Sequence, residues 1–252
     1  MKTDNEVRLP KHVKACIFDF DLTLADGSPW IVACYQEVLH RHGFTQVPDS
    51  VVRSTIGLTV EGSFGVMTGK TDADYLWSLR MEYKALCRPR MAEHTKFFPD
   101  AERFVKRLSA AGVKCAIVST KETAVIRHTL QLCGMAEHFA LVVGLDEVSA
   151  PKPSPEGIEY VLRSLGVGEG EAVYFGDNPV DAEAAERAGV AYVGVAKGVH
   201  TAQQLAARPH IGIITDYDDL QMHAYPNKGC LQALHINRNY LPLPEQGEEM
   251  LP

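Results

Sequence analysis

The sequence predicts an α/β fold, in which helices cover both faces of a parallel sheet and an all-helical segment is inserted after the first strand. Two observations support this prediction. Short, nearly continuous apolar runs alternate with amphipathic segments of helical length, which is typical of a parallel sheet buried on both faces. Residues 28–98 break this alternation, because they contain helical patterns and no convincing buried strand.

Six apolar runs are the candidate strands of the sheet. They are residues 13–18, 113–118, 141–143, 172–175, 191–195 and 211–214. The first run ends at Asp19, the second at Ser119, and the fourth just before Gly176 and Asp177. Ligands of open parallel sheets bind beyond the carboxyl ends of the strands, so we expect these residues to share one site.

Helix ends in the core are indicated by capping residues. Ser119 and Glu122 form a capping-box pattern for a helix that runs to about Cys133. Asn178 supplies a cap, and Pro179 a first-turn proline, for a later helix. Two more helices are predicted over residues 101–111 and from 155 to about 166.

The segment 28–98 is predicted to be a helical cap that acts as a lid over the carboxyl edge of the sheet. Its helical patterns cover roughly residues 29–42, 50–55, 60–68 and 73–91. The core would then comprise residues 1–27 and 99–222. Residues 223–252 are rich in Pro, Asn, Gln and Glu, so we expect a loosely packed tail there.

The composition is that of an ordinary globular protein. Of 252 residues, 46% are hydrophobic and 23% are charged. A net charge of −7 with scattered basic residues argues against non-specific nucleic-acid binding. The first twelve residues hold no apolar stretch suited to a signal peptide or membrane span, and the six cysteines form no CxxC pair. We therefore expect a cytoplasmic protein with reduced thiols and no membrane partner; the oligomeric state is left open.

Two carboxylates, those of Asp19 and Asp21, follow the first strand. At a spacing of two residues on an extended chain they point to roughly the same side. A divalent cation would relieve their repulsion and orient one of them as a nucleophile. The alternative is an Asp-rich turn that caps a helix beginning near Ser28.

Two further motifs carry groups that can bind an anion. The hydroxyls and backbone N–H groups of Ser119, Thr120 and Lys121 would lie at a helix N-terminus, where the helix dipole attracts negative charge. Alternatively, Ser119 simply caps that helix. Lys152, held between two prolines, could neutralise both a phosphoryl group and nearby carboxylates, or could lie in a surface turn.

The run 176–181 supplies a second acidic pair. Asp177 stands at a strand end and Asp181 in the first turn of the following helix, so both can face a cation. A negatively charged helix start is the alternative, since the dipole favours it. Helix capping alone does not explain why an acidic pair, a hydroxyl, a lysine and a second acidic pair follow one another at the strand-to-helix junctions of one sheet.

The four motifs, in this order, resemble those of the haloacid dehalogenase superfamily of hydrolases, and the resemblance covers roughly residues 13–222. The helical insertion is similar to the small cap of the phosphoglycolate phosphatase-like branch. The resemblance implies a Rossmann-like core. It also implies a Mg²⁺-dependent phosphatase that cleaves a small phosphorylated metabolite through an aspartyl-phosphate intermediate.

The resemblance also implies a role for each motif residue. Asp19 would be the nucleophile and a Mg²⁺ ligand, while Asp21 would act as general acid and then base and would bind the metal through its backbone carbonyl. Asp177 would complete the metal site, and Asp181 would support it. Leu22 departs from the glycine that is commoner at its position.

The remaining motif residues would bind the phosphoryl group. The resemblance implies that Ser119 binds it directly, helped by the Thr120 N–H, and that Lys152 bridges it to Asp19. A carboxylate nucleophile divides phosphoester cleavage into two easier displacements. Mg²⁺ and Lys152 would offset the negative charge that otherwise repels this carboxylate.

Other functions remain possible from the sequence. A phosphosugar mutase uses the same four motifs, and an inactive binding module is the simplest alternative. Dehalogenation is disfavoured, because halide leaves without a proton and needs no acid at Asp21. The branch resemblance favours phosphoglycolate-like substrates, and pyrophosphate and nucleoside monophosphates stay open. Four arginines of the insertion could contact a substrate anion or could lie on a solvated surface. They are Arg53, Arg80, Arg88 and Arg90.

Overall fold

A computed structural model describes residue 10, residues 12–224 and residues 229–236 of the chain. In chain order its strands are β1 (Ala15–Phe18), β2 (Ala25–Asp26), β3 (Lys96–Phe97), β4 (Lys114–Val118), β5 (Phe139–Val143), β6 (Ala172–Gly176), β7 (Ala191–Val195), β8 (Gly212–Ile214), β9 (Leu220–Ala224) and β10 (Leu231–Ile236). Its α-helices are α1 (Ser28–Arg41), α2 (Asp49–Ser54), α3 (Val60–Thr68), α4 (Ala73–Cys87), α5 (Pro99–Ala110), α6 (Thr123–Leu132), α7 (Glu156–Leu165), α8 (Pro179–Arg187) and α9 (Ala202–Ala206).

The predicted α/β fold is confirmed by a parallel sheet of six strands in the order β5-β4-β1-β6-β7-β8. All six candidate strands from the sequence lie in it. The strand β1 is central, with Phe18 in register with Ile117 of β4 on one side and with Phe175 of β6 on the other. The ends of β4, β1 and β6 are therefore neighbours at one edge of the sheet.

Helices cover both faces of the sheet. Successive side chains of β1 point to opposite faces, so each face contributes its own set of side chains to the packing. Phe18 packs in one hydrophobic cluster with Phe104 of α5, and its ring stacks on that of Phe175 with 4.9 Å between centroids. Ile17 packs in a second cluster with Ile158 of α7. Both faces of the strand are thus dry, which explains its uninterrupted apolar sequence.

The segment between β2 and β3 is helical, as the sequence indicates, and has its own hydrophobic cluster built from α1 to α4. The chain enters this segment through β2 and leaves it through β3. These two strands pair with each other in a short antiparallel ladder. The sequence did not predict this ladder. The role of the segment as a lid, and the domain boundaries at residues 27, 98 and 222, stay predictions.

The predicted capping box of Ser119 and Glu122 is wrong. The helix α6 begins at Thr123, and neither residue's side chain caps it. Instead, the Thr123 N–H donates to the carboxylate of Asp146 at 2.7 Å, so a loop remote in sequence supplies the cap. The predicted cap of α8 is confirmed, because the Asn178 side chain accepts a hydrogen bond from the Val180 N–H at 3.2 Å.

The prediction of a loosely packed tail after residue 222 is wrong for part of the described chain. The strand β10 pairs with β9, and the side chain of Leu231 is fully buried. Leu231 and Val13 exchange backbone hydrogen bonds of 2.8 and 3.1 Å, which tie the tail to the start of the core. Residues 225–228 and 237–252 of the predicted tail lie outside the described residues.

Two further expectations concern thiols and membranes. All six cysteines are free thiols, as expected. In the described part of the chain, no helix combines the length and apolar character needed to cross a bilayer.

Candidate active site

Asp19, Ser119 and Asp177 follow three adjacent strands, β1, β4 and β6, and so lie at one edge of the sheet. The Asp19 N–H donates to the Phe175 carbonyl at 2.8 Å, and the Ser119 N–H donates to the Val143 carbonyl at 3.0 Å. These bonds continue the strand ladders by one residue. The sheet thereby fixes the backbone at each of these positions.

Three carboxyl groups converge at this edge. One oxygen each from Asp19, Asp177 and Asp181 lie within 4.8 Å of one another, and all three residues are buried. The Asn178 N–H holds Asp181 through a 3.0 Å hydrogen bond, and the Thr23 hydroxyl donates to Asp177 at 3.1 Å. The sequence placed these acids at separate junctions, and the fold brings them together.

The Lys152 ammonium lies among these acids and not in a surface turn. Its Nζ is 2.9 Å from Oδ1 of Asp19 and 2.5 Å from Oδ1 of Asp181, and only 3% of its side chain is exposed. Burial by itself lowers the pKa of this lysine, but the carboxylates of Asp181 and Asp19 outweigh that effect and leave the pKa raised. Lys152 is therefore a permanent cation beside Asp19.

One lysine does not balance three carboxylates. Burial, and then the charges of Asp181 and Asp19, raise the pKa of Asp177 well above its usual value. Burial raises the pKa of Asp181 to about 6, despite the opposing effect of Lys152. A bound cation offsets the repulsion among buried carboxylates that lie this close together. Three buried carboxylates whose oxygens lie within 4.8 Å of one another are ligands of the type that Mg²⁺ prefers, so the residues fit this ion.

The backbone around these acids leaves no spare room. A methyl group on Gly198 would lie 2.1 Å from Oδ2 of Asp177, and one on Gly176 would lie 2.6 Å from Oδ2 of Asp181. The loop after β7 thus packs directly on Asp177. The sequence analysis did not identify Gly198, since a lone glycine in a loop carries no specific signal.

The side chain of Asp21 lies outside this acidic cluster and faces a different cation. Its Oδ2 is 2.9 Å from Nζ of Lys121, in an ion pair whose side chains are only 10% and 13% exposed. Burial raises the pKa of Asp21, and Lys121 partly offsets the rise. In the sequence, Lys121 is only one residue of the predicted helix N-terminus and carries no signal of a separate role. The metal contact predicted for the Asp21 backbone carbonyl stays a prediction.

Leu22 follows Asp21 in a left-handed backbone conformation, with φ of 58°. This conformation favours glycine, which explains why glycine is the commoner residue expected there. The leucine side chain packs in the hydrophobic cluster of the helical segment, with Ile31 among others. Compared with glycine, Leu22 therefore adds backbone strain, but it also adds a contact between the sheet edge and the helices.

Thr120 and Asn178 connect the sheet edge to the helical segment. The Thr120 hydroxyl donates to the Gly57 carbonyl at 3.1 Å, and the Asn178 side chain donates to the Ile56 carbonyl at 3.3 Å. The Ser119 side chain is buried at the same edge, where its hydroxyl accepts a weak 3.4 Å hydrogen bond from the Lys121 N–H. The predicted phosphoryl contacts of Ser119 and Thr120 stay predictions.

A cavity of about 110 Å³ opens between the sheet edge and the helical segment. Asp21, Thr120 and Lys121 line one side. The helices line the other with apolar groups and with Arg80 and Arg88, the two of the four candidate arginines that reach it. The Arg80 guanidinium pairs with Glu61 of α3 at 2.7 Å, and Arg88 lies 3.6 Å from Glu122.

Tyr174 is a polar group of the site that the sequence analysis missed. Its hydroxyl lies 3.3 Å from Nζ of Lys152 and 3.2 Å from Oδ1 of Asp181, and it donates to the Val118 carbonyl at 3.0 Å. The residue sits inside the apolar run of β6. Its hydroxyl was the only available signal, and such a signal does not distinguish a site residue from a buried tyrosine of the core.

Comparisons with known proteins show the family of this chain. Residues 16–195 match the family model described as haloacid dehalogenase-like hydrolase. A phosphoglycolate phosphatase from Neisseria meningitidis is 30% identical over 84% of this chain and 95% of the relative. The pyrophosphatase PpaX from Bacillus velezensis is 32% identical over 78% of this chain and 89% of the relative. Among solved structures, one described as a haloacid dehalogenase-like hydrolase from Bacteroides fragilis is 39% identical, with a TM-score of 0.79 over 81% of this chain and 97% of that chain.

Proposed function

This chain belongs to the haloacid dehalogenase-like hydrolases and is a phosphoric monoester hydrolase, and we propose that it is a magnesium-dependent phosphatase that works through a phosphoaspartate on Asp19. The single observation that carries the proposal is the position of Asp19. Its carboxylate contacts the Lys152 ammonium at 2.9 Å and lies within 4.8 Å of carboxyl oxygens of Asp177 and Asp181. A carboxylate so placed is a nucleophile beside a site for positive charge.

The metal would be held by the carboxylates of Asp19 and Asp177, with Asp181 supporting the site and the Asp21 backbone carbonyl adding a ligand. When bound, Mg²⁺ neutralises charge on the carboxylates and on the phosphoryl oxygens. Lys152 contributes a second, fixed positive charge to the same region. Thr23 and the Asn178 N–H keep the acids in position through hydrogen bonds.

The first chemical step transfers the phosphoryl group to the protein. A carboxylate oxygen of Asp19 forms a bond to phosphorus as the bond to the leaving oxygen breaks, and Asp21 gives its proton to that oxygen. Ser119, the Thr120 N–H and Lys152 bind the oxygens of the transferring group. The cavity beside Asp21 would hold the departing alcohol.

The second step releases phosphate. Asp21, now ionised, takes a proton from a water molecule, whose oxygen attacks phosphorus and breaks the bond to Asp19. Inorganic phosphate leaves, and both aspartates return to their starting states. Asp21 thus serves as acid and then as base.

We propose a small phosphorylated metabolite as the substrate, with phosphoglycolate as the first candidate because of the phosphoglycolate phosphatase relative. The pyrophosphatase relative keeps pyrophosphate as a second candidate, and nucleoside monophosphates are a third. A phosphosugar mutase is the alternative reaction, and it is distinguished by isomer accumulation from a hexose 1-phosphate instead of phosphate release. A cytoplasmic location is proposed on the basis of the free thiols.

The test is hydrolysis of para-nitrophenyl phosphate and of the candidate metabolites, followed as phosphate release with Mg²⁺ and with EDTA. We expect activity that requires the metal and that falls by on the order of 10³-fold or more in Asp19→Asn. Asp74→Asn, which changes an exposed aspartate of α4, is the matched control and should keep full activity. Equal rates in Asp19→Asn and the wild type would rule out the proposed nucleophile.

A further inference from the structure

The ion pair of Asp21 and Lys121 lies on the sheet side of the cavity, away from the acidic cluster. Both residues line the cavity, and the Nζ–Oδ2 distance is 2.9 Å. Lys152, the other buried cation of the site, is held by Asp19 and Asp181. In the described part of the chain, the contact with Lys121 is the only side-chain ion pair that Asp21 makes.

We propose that Lys121 is a positioning residue that holds the carboxyl group of Asp21 toward the leaving-group oxygen. This inference rests on the proposed function, because it assigns Lys121 a task in the proton transfer by Asp21. Lys121 would act through Asp21 and would not itself exchange a proton with the substrate.

The two oxygens of Asp21 are in different situations. The ammonium of Lys121 contacts Oδ2, whereas Oδ1 is buried and has no hydrogen-bond partner within the described chain. A carboxyl group anchored through one oxygen has little rotational freedom. Its other oxygen is then held in a fixed direction, buried beside the cavity that Asp21 lines. General acid catalysis needs this geometry, since the donor must reach the leaving oxygen within hydrogen-bond distance.

The backbone of Lys121 is itself held in place. Its carbonyl accepts a hydrogen bond from the Leu145 N–H at 3.1 Å, and its N–H donates to the Ser119 hydroxyl at 3.4 Å. A methyl group on Gly144 would lie 2.5 Å from the Lys121 carbonyl oxygen, so the loop after β5 packs tightly against it. A fixed backbone and a short ion pair together set the position of Asp21.

The proposal predicts that the effect of removing Lys121 depends on the leaving group. Para-nitrophenolate departs readily without a proton, whereas an alkoxide needs one. We therefore expect Lys121→Met to lower kcat/KM for phosphoglycolate by on the order of 10²-fold, and for para-nitrophenyl phosphate by no more than about threefold. The ratio kcat/KM is the proper measure, because it reports the steps up to departure of the leaving group and excludes the later hydrolysis of phosphoaspartate.

Three further variants make the test decisive. Asp21→Asn should show the same leaving-group dependence, and adding Lys121→Met to it should cause little further loss, because the two residues act as one unit. Lys121→Arg should recover part of the activity toward phosphoglycolate. Lys106→Met, which breaks a surface pair with Glu102 on α5, is the matched control and should leave both values of kcat/KM unchanged.

The possible outcomes are distinct. Equal losses for both substrates in Lys121→Met would mean a merely structural role and would overturn the proposal, and so would no loss for either substrate. If Lys121→Met does not fold, as judged by thermal unfolding, Lys121→Gln is measured and judged by the same ratio. If the wild type hydrolyses neither substrate, this result contradicts the proposed function itself and not only the task of Lys121.

Discussion

The edge of the sheet and the helical segment, which lie on opposite sides of the cavity, hold their charges in different ways. On the sheet side, the side chains of Lys152 and Asp181 are 3% and 0% exposed and contact each other at 2.5 Å. On the helical side, the side chains of Arg80 and Glu61 are 18% and 29% exposed. Lys84 of α4 pairs with Glu122, which precedes α6 of the core, and both of these side chains are 23% exposed. Breaking a buried ion pair leaves an uncompensated charge, whereas solvent screens a partly exposed one.

From this difference we expect the two regions to have different roles in catalysis. At the sheet edge, Lys152 and Asp181 are buried and paired with each other, so the surrounding fold fixes their positions. The helical side has apolar walls and ion pairs that water reaches, so its side chains can adjust to different leaving groups. We therefore expect substitutions on the sheet side to abolish catalysis and substitutions on the helical side to change substrate choice.

The largest effect is expected for Lys152→Met, because it leaves Asp19 and Asp181 buried without their cation. The free energy of unfolding in EDTA should fall by about 3 kcal/mol, and phosphatase activity should be lost. Lys84→Met, on the helical side, is the matched variant and should cost less than about 1 kcal/mol. Urea unfolding of both variants measures the difference; similar values would remove the contrast between the two sides.

A large effect on metal binding is expected for Gly198→Ala, since its new methyl group would displace the Asp177 carboxylate. The Mg²⁺ concentration for half-maximal activity should rise by on the order of tenfold. Gly170→Ala adds its methyl group where no atom lies within 4 Å and serves as the control. An unchanged Mg²⁺ requirement in Gly198→Ala would show that Asp177 is not a ligand.

A pH dependence of stability should follow from Asp181 when no metal is bound. Its pKa is about 6 in the folded protein, above the ordinary value of 3.8, so the folded state binds this proton more tightly than the unfolded state. Stability from this group therefore falls as pH rises from about 4 to about 6 and then levels off. Burial, and then the charges of Asp181 and Asp19, also raise the pKa of Asp177, so its contribution to stability changes with pH in the same direction.

The measurement is thermal unfolding in EDTA at pH 5 and pH 7. The drop in Tm between these values should be smaller in Asp181→Asn than in the wild type, and Mg²⁺ should reverse it in the wild type. Contributions from titrating groups far from Asp181 are shared by both proteins and cancel in the comparison. The pKa of Asp177, which the charge of Asp181 raises, is lower in Asp181→Asn, and this reduces the drop in that variant further. A drop in Tm from pH 5 to pH 7 that is as large in Asp181→Asn as in the wild type, or larger, would contradict the raised pKa of Asp181.

The smallest effect is expected for Arg80→Gln on the helical side. Its pair with Glu61 is partly exposed, so stability should change by less than about 1 kcal/mol. The value of kcat for para-nitrophenyl phosphate should stay within about twofold, while KM for an anionic metabolite should rise a few-fold. Steady-state kinetics with both substrates test this, and a collapse of kcat would place Arg80 with the sheet-side residues instead.

The local signals of the sequence were reliable where one segment decides its own structure. Apolar runs located the six strands of the sheet, and Asn178 with Pro179 located the start of α8. Such elements depend on burial patterns and on capping within a few residues. The capping box of Ser119 and Glu122 failed because Asp146, more than twenty positions away, supplies the hydrogen bond at the start of α6.

By itself, the sequence determined the α/β class, the order of the strand-end motifs and the chemical character of Asp19, Lys152 and Asp177. Only the tertiary structure decided which charges meet: Lys152 with Asp19 and Asp181, but Lys121 with Asp21. The physical reason is the distance along the chain over which each feature is determined. Strand and helix patterns are set by neighbours along the chain, whereas an ion pair between side chains one hundred residues apart depends on the order of strands in the sheet and on the loops that end them.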